Sequence, residues 1–420
     1  MNRVLVASAA YNWAETHRMA AIGRVFSKKG YEVYSIGKGC YEHLLQENMI
    51  HLKMKADNMW YSEDRIHKLM HMDDYGNDYC TEVELRTMVS EEIELLQRIN
   101  PDIVITGYRT TMSLSCKYTK IPIVWVLSAV VSPIYFKLGL ASMPERTPLD
   151  YVKNIKDKKT QSRYYSTLAL KNNGTSKVWN KVAQEYGLKT FKSDLDIFNG
   201  DFNLMSDIAE LFQDFSKLPE NYSFCGPLFN YEKIHLPECV TTYNDIGRKK
   251  IFVSMGSSGE KKIFLKLLEL LKDIDADIFV STTSILSEEE TVVFPDNFYF
   301  ARAFPHKEMA EWVNLSIIHG GQGTVYTTIL AGKPFIGIPM FSEQQYNLEN
   351  IEKFGSCIHL RVSDLNVENF NKSIDKIISD NSYIDNAKKL KELVAPYYED
   401  ENRNASVIAA SKIVEYFNEE

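Results

Sequence analysis

The sequence predicts an α/β protein of two domains, each a doubly wound parallel sheet with helices on both faces. Three observations point there. The chain has 420 residues, enough for two cores of roughly 200 residues each. Short, almost continuous apolar runs of strand length alternate with segments of helical period, the pattern of strands covered on both faces. That alternation lapses over residues 227–248, where Pro237 and Gly247 stand in a stretch of little periodicity, and then restarts.

Taken in order, RVLVASA (3–9) reads as a strand and His17 to Lys29 as a helix closed by Gly30. YEVYSIG (31–37) is the next strand. Over residues 81–99, Val83, Leu85, Val89, Ile93, Leu96 and Ile99 recur near the 3.6-residue period, and Pro101 stops the helix. DIVIT (102–106) and IPIVWVLS (121–128) are buried strands. Residues 129–200 change character, with Ser/Pro punctuation and then polar helical segments, and read as an insertion over one face of the first sheet. FNLMSD (202–207) and YSFCG (222–226) close a first domain of residues 1–226, with 227–248 as linker. The second domain, 249–400, carries strands at 250–255, 277–282, 297–302, 315–320 and 335–339, and helices at 261–273, 323–331, 345–353 and 384–395. A final helix lies within 401–420.

Composition narrows the function. The chain is 45% hydrophobic and 25% charged, with formal net charge −8. Nothing suggests the concentrated basic face that a dedicated nucleic-acid binder needs. Cys40, Cys80, Cys116, Cys225, Cys239 and Cys357 include no CxxC pair, which fits reduced thiols in a cytoplasm better than a zinc site or disulfide scaffold. His67, Met70, His71, Met72, Asp73 and Asp74 match no metal template. The N-terminal MNRVLVASAA reads as a buried first strand, and the longest other apolar stretch, Ile121 to Val131, is too short to span a bilayer.

The chemistry concentrates between Ala301 and Leu360. A buried strand ends in His319, followed by Gly320, Gly321, Gln322, Gly323 and Thr324, which open a helix. Glycines at such a turn let backbone approach a ligand, and a helix N-terminus offers unpaired N–H groups and partial positive charge. That geometry suits a diphosphate, to which a histidine can donate. The next strand, FIGIP, leads to Glu343 and Gln344. Ligands of open α/β sheets bind beyond the carboxyl ends of strands. A carboxylate and an amide there can hold sugar hydroxyls.

This window resembles the donor signature of the UDP-glycosyltransferase superfamily, in the macrolide-glycosyltransferase-like branch: His319-Gly320-Gly321-Gln322-Gly323-Thr324, Gly332-Lys333-Pro334, then Glu343-Gln344-Gln345-Tyr346-Asn347. VSMGSSG (253–259) resembles the family's first C-domain loop, and PHKEMAEW (305–312) its segment bordering the base. The resemblance implies a GT-B fold of two Rossmann-like domains facing a cleft, with the final helix crossing back to the N-terminal domain. It implies an inverting, metal-independent transfer of a hexose from a nucleotide-diphosphate sugar, first of all a UDP-sugar. No cofactor beyond that co-substrate is expected. His319, Gly321, Gly323, Thr324, Ser257 and Ser258 are then expected at the diphosphate, and Glu343 and Gln344 at the sugar. Arg302, Phe304, His306 and Asn347 are expected at the nucleoside, Ala303 standing where relatives carry a stacking aromatic. Glu343 departs from the commoner Asp.

In the N-terminal half the family places a general-base histidine near His17, where an imidazole would deprotonate an acceptor hydroxyl. The aspartate that often supports it is missing, since the chain reads Ile105-Thr106-Gly107-Tyr108-Arg109. Glu15 could supply the missing carboxylate, His17 could act unaided, or the acceptor itself could be acidic; the alternative for His17 is to cap the first helix or bind acceptor. Tyr108 and Arg109 are expected on the acceptor side, the guanidinium reading as an anchor for an anionic acceptor group or as the partner of a neighbouring Glu. AVVSPIYFKLGLASMP (129–144) suggests a seat for a lipophilic acceptor, a peripheral membrane contact, or a buried lid. The expected partners are a nucleotide-sugar and a small-molecule or lipid-like acceptor, with a homodimer open and no nucleic acid. A sugar-nucleotide epimerase and a non-catalytic GT-B subunit share the fold as alternatives.

Overall fold

The computed structural model describes residues 1–60, 80–145, 149–215, 217–229, 235–245, 247–256, 259–283 and 285–418. His67 to Asp74 and the Ser257–Ser258 pair lie outside them. The chain divides into two compact units. One comprises Met1–Met143, Leu149–Leu228 and Tyr397–Glu420; the other comprises Pro144–Pro148 and Phe229–Pro396.

The first unit holds a seven-stranded sheet: β1 (Arg3–Ala7), β2 (Glu32–Ile36), β3 (Ile50–His51), β4 (Ile103–Thr106), β5 (Ile123–Leu127), β6 (Phe202–Met205) and β7 (Tyr222–Phe224), in the order β3-β2-β1-β4-β5-β6-β7. Every pairing is parallel, with Val4 beside both Val33 and Ile103. The chain runs outward from β1 to β3, then returns to the other side of β1, so the order reverses between β1 and β4. That reversal opens a crevice beyond their carboxyl ends.

Helix α1 (Trp13–Lys28) starts four residues earlier than the sequence reading placed it. The Asn12 side chain caps it by accepting from the Glu15 amide at 3.1 Å. Glu15 therefore lies in the first turn and His17 in the second. Helix α2 (Glu82–Ile99) opens with a reciprocal Thr81–Glu84 capping box and buries Leu85, Met88, Val89, Ile93 and Leu96. Beyond α3 (Met112–Thr119), α4 (Ser176–Glu185) packs Trp179, Val182 and Ala183 against Leu85, Met88, Val89 and Leu114. This part of the 129–200 segment thus covers helices, not the strands themselves. Residues 129–144 turn Ala129, Val130, Ile134, Tyr135, Ala141 and Met143 inward and leave Leu138 as their exposed large apolar side chain. They form packed structure, not an apolar surface. The C-terminal helix Ala405–Asn418 lays Ala409, Ala410 and Ile413 against Met19, Ile22 and Phe26 of α1.

The second unit holds β8 (Lys250–Ser254), β9 (Asp277–Ser281), β10 (Phe298–Ala301), β11 (Leu315–Ile318), β12 (Phe335–Gly337) and β13 (Cys357–His359), all parallel, in the order β10-β9-β8-β11-β12-β13. Its reversal falls between β8 and β11. The sequence reading missed β13 and the helix Val367–Ser379. Pro144–Pro148 counts with this unit, the Glu145 carboxylate accepting from the Val362 amide at 3.0 Å. Cys116, Cys225, Cys239 and Cys357 are free thiols. Among the described residues no helix is long and apolar enough to cross a membrane.

Candidate functional site

In the second unit, two strand-end turns meet where the strand order reverses. After β8 comes Gly256 at φ +65°, and after β11 come His319, Gly320 and Gly321, leading into α5 (Gln322–Ile329). The glycines are dictated by the imidazole. A Cβ on Gly256 would stand 2.6 Å from His319 Cε1 and Nε2, and one on Gly321 would stand 2.5 Å from Nε2. The ring is therefore held between two stretches of bare backbone. Gly256 is buttressed by Thr283, whose hydroxyl donates to the Gly256 carbonyl at 3.1 Å. Thr283 itself sits at φ +51°, rare for a β-branched residue and the kind of strain that gathers at functional sites.

His319 is 6% exposed, and its Nδ1 is buried without a hydrogen-bond partner. Burial first, then the neighbouring His306 ring, pushes its pKa down to about 4, against a backbone hydrogen bond at Ser254. The ring is thus neutral at pH 7. Gly321 is the N-cap of α5, so the first amides of that helix have no intrahelical acceptor. Gly323 lies against the Phe229 ring, and Thr324 sits in the first turn.

Glu343 and Gln344 open α6 (Ser342–Phe354), just past β12. Gln344 is 1% exposed; its Oε1 accepts from the Met340 amide at 2.8 Å and its Nε2 is buried with no partner. Asn347 donates through Nδ2 to the Gly320 carbonyl at 3.1 Å. It pins the glycine turn. Phe304, expected at the nucleoside, lies inside the core. Its ring is 1% exposed and packs against Phe252 and Phe279 in the core, where no base can stack on it. His306 also turns inward: Nε2 meets Ser254 Oγ at 3.2 Å, and burial alone lowers its pKa to about 4. Arg302 stays exposed beside the exposed Ala303. The structure thus brings His319, Gly321, the α5 N-terminus and Gln344 around one turn, and assigns Phe304, His306 and Asn347 to its support. The Ser254–His306 pair had no signal in the sequence beyond the likeness of its loop.

The first unit repeats the geometry with a carboxylate. Glu15 lies between the turns that follow β1 and β4. Ser8 Oγ donates to its Oε2 at 2.6 Å, and a Cβ on Gly107 would meet its Cγ at 2.8 Å. Oε1 is buried and has no side-chain partner. Burial raises its pKa, against the opposing pull of Ser8, Arg18 and the Ala9 and Tyr108 amides. His17 is 6% exposed, its ring 5.5 Å from that of Trp13 and its Nδ1 unpartnered. Burial first, then Arg24 and Arg18, lower its pKa to about 4, against a backbone hydrogen bond at Leu228. Tyr108 is 40% exposed, edge-on to Tyr11 and tilted over Phe198.

Arg109 is not an acceptor anchor. It is 1% exposed; Nη2 and Nη1 reach Asp57 at 2.7 and 3.3 Å, and Nε reaches Glu92 at 2.7 Å. Thr111 also donates to Glu92, at 2.6 Å. Two buried carboxylates engage the guanidinium, so it serves the fold.

Residues 265–397 match the family model of the erythromycin biosynthesis protein CIII-like C-terminal domain. A PGL/p-HBAD biosynthesis glycosyltransferase of Mycobacterium tuberculosis is 26% identical over 321 residues, spanning 74% of this chain and 71% of that one. The solved glycotransferase of kitacinnamycin superposes with TM-score 0.72 at 13% identity, covering 99% of both chains. The glycosyltransferase VinC, solved in complex with dTDP, gives 0.63 at 13% identity over the full length of both. Parallel sheets in this order give the chain the fold of these solved glycosyltransferases, and with homologues that are themselves glycosyltransferases it is consistent with an enzyme of the macrolide-type GT-B superfamily.

Proposed function

We propose that the protein transfers a hexose from a uridine or thymidine diphosphate sugar to a hydroxyl of a small-molecule or lipid-like acceptor, with inversion and without metal. The observation that carries this is His319: a buried imidazole whose Nδ1 has no hydrogen-bond partner, fixed between Gly256 and Gly321 beside the N-terminal amides of α5. Such a cluster supplies donors to a leaving diphosphate as its charge develops. Gln344 Nε2 is the matching donor for a sugar hydroxyl, with Glu343 beside it as acceptor. The base would rest on the exposed Arg302–Ala303 edge.

With Arg109 engaged inside the fold, the acceptor side carries Tyr108 and Tyr11 near Glu15, an aromatic rim suited to a flat or lipophilic alcohol. Its proton acceptor comes from α1, which bears both Glu15 and His17. Incubation with UDP- and dTDP-hexoses, a phenol and a long-chain alcohol tests the reading. Release of UDP or dTDP with a product of inverted anomeric configuration by NMR is expected. Retained configuration would refute the direct displacement, and a sugar-nucleotide epimer formed without acceptor would favour the epimerase.

A further inference from the structure

We propose that the Glu15 carboxylate, through Oε1, takes the proton of the acceptor hydroxyl. The position argues first. In an open parallel sheet the ligand crevice lies where the strand order reverses, and in the first unit that is between β1 and β4. Glu15 is the ionisable side chain spanning it: Ser8, directly after β1, holds Oε2, and Gly107, directly after β4, has no side chain because the Glu15 methylenes and Oε1 fill that space. The second unit uses the same place for His319. Glu15 is 3% exposed, and Oε1, its oxygen beside Gly107, has no side-chain partner at the crevice, the Ala9 and Tyr108 amides being what acts on the carboxylate besides Ser8 and Arg18. A hydroxyl group is the partner it lacks. Its neighbours Tyr11 and Tyr108 frame an apolar surround, and burial there raises carboxylate basicity, as a base for an alcohol requires.

His17 is two residues on, about 200° around the helix. Its ring lies against Trp13 and takes its backbone hydrogen bond at Leu228. In the step itself, the acceptor O–H proton passes to Oε1 as the oxygen bonds to the anomeric carbon. The bond from that carbon to the phosphate oxygen breaks, and the nucleoside diphosphate leaves with the electron pair. Ser8 steadies Oε2, and the proton later returns to solvent.

The assignment rests on the transfer reading above, and the test separates the two. Wild type, Glu15→Gln, Glu15→Ala and His17→Asn are assayed with UDP- and dTDP-glucose and the phenol, donor hydrolysis being the readout where the phenol is not used. Glu15→Gln should lose on the order of 10²–10⁴-fold in kcat, the range of general-base catalysis, with Kd for UDP and dTDP unchanged in calorimetry. Formate should restore part of the Glu15→Ala rate, which a structural role would not permit. The fall for Glu15→Gln should exceed that for His17→Asn by at least tenfold. An active wild type with an equally active Glu15→Gln, a Glu15→Ala that formate does not rescue, or the reverse ranking overturns the assignment alone. A wild type that neither transfers nor hydrolyses any donor overturns the transfer reading and this assignment with it.

Discussion

Replacing Gly256 with alanine strikes the donor turn without touching any polar group. Two costs follow from the geometry. At φ +65° an L-residue is strained by about 1 kcal/mol. The new Cβ would also fall 2.6 Å from the His319 ring, well inside the roughly 3.5–4.0 Å of ordinary carbon contacts, so the ring must swing by about 1 Å. A histidine displaced that far forfeits its bond to a charged phosphate, about 1.5–3 kcal/mol, or about 10- to 150-fold in Kd. Gly187→Ala is the control: φ is +67° but nothing stands within 4 Å of the added methyl. It should share the conformational cost and leave nucleotide binding alone. Calorimetry with UDP and dTDP, alongside melting of each variant, reads both effects. If Gly256→Ala binds as tightly as wild type while melting like Gly187→Ala, the diphosphate does not lie at His319 and the donor reading fails.

Other outcomes follow from the same geometry. His17, His306 and His319 have folded pKa values near 4 against 6.5 unperturbed, so between those values the unfolded chain binds more protons. Their stabilisation is complete above pH 6.5 and declines toward pH 4, by about 1.4 kcal/mol per pH unit for each histidine. Denaturant unfolding at pH 7 and pH 5 should show that decline lessened in His306→Gln, and equal pH slopes would contradict it. Glu92→Ala leaves the buried Arg109 charge half-compensated and should cost about 3–5 kcal/mol, which the denaturation midpoint will show; a loss under 1 kcal/mol would mean that water reaches the guanidinium. EDTA should leave transfer untouched if His319 and the N-terminal amides of α5 meet the diphosphate as proposed; a rate restored by Mg²⁺ or Mn²⁺ would show the leaving group handled otherwise.

The sequence by itself determined most of the strands and the glycine turn after His319. Apolar runs such as Ile103–Thr106 and Leu315–Ile318 read as buried strands, and the glycines after His319 mark a strand-to-helix turn. The helix over 81–99 was legible from its 3.6-residue period, and the start of α1 was misplaced where a single Asn12 does the capping. That shift of four residues moved attention from Glu15 to His17, because register along a helix decides which side chain faces the sheet. Burial and partners were invisible in the sequence for a different reason. Arg109 looks like an anion anchor until Asp57 and Glu92, 52 and 17 residues away, close on it. Phe304 looks like a base platform until Phe252 and Phe279 enclose it. A charge or ring becomes a site only if nothing in the fold satisfies it first, and contacts between distant segments are set by tertiary packing alone.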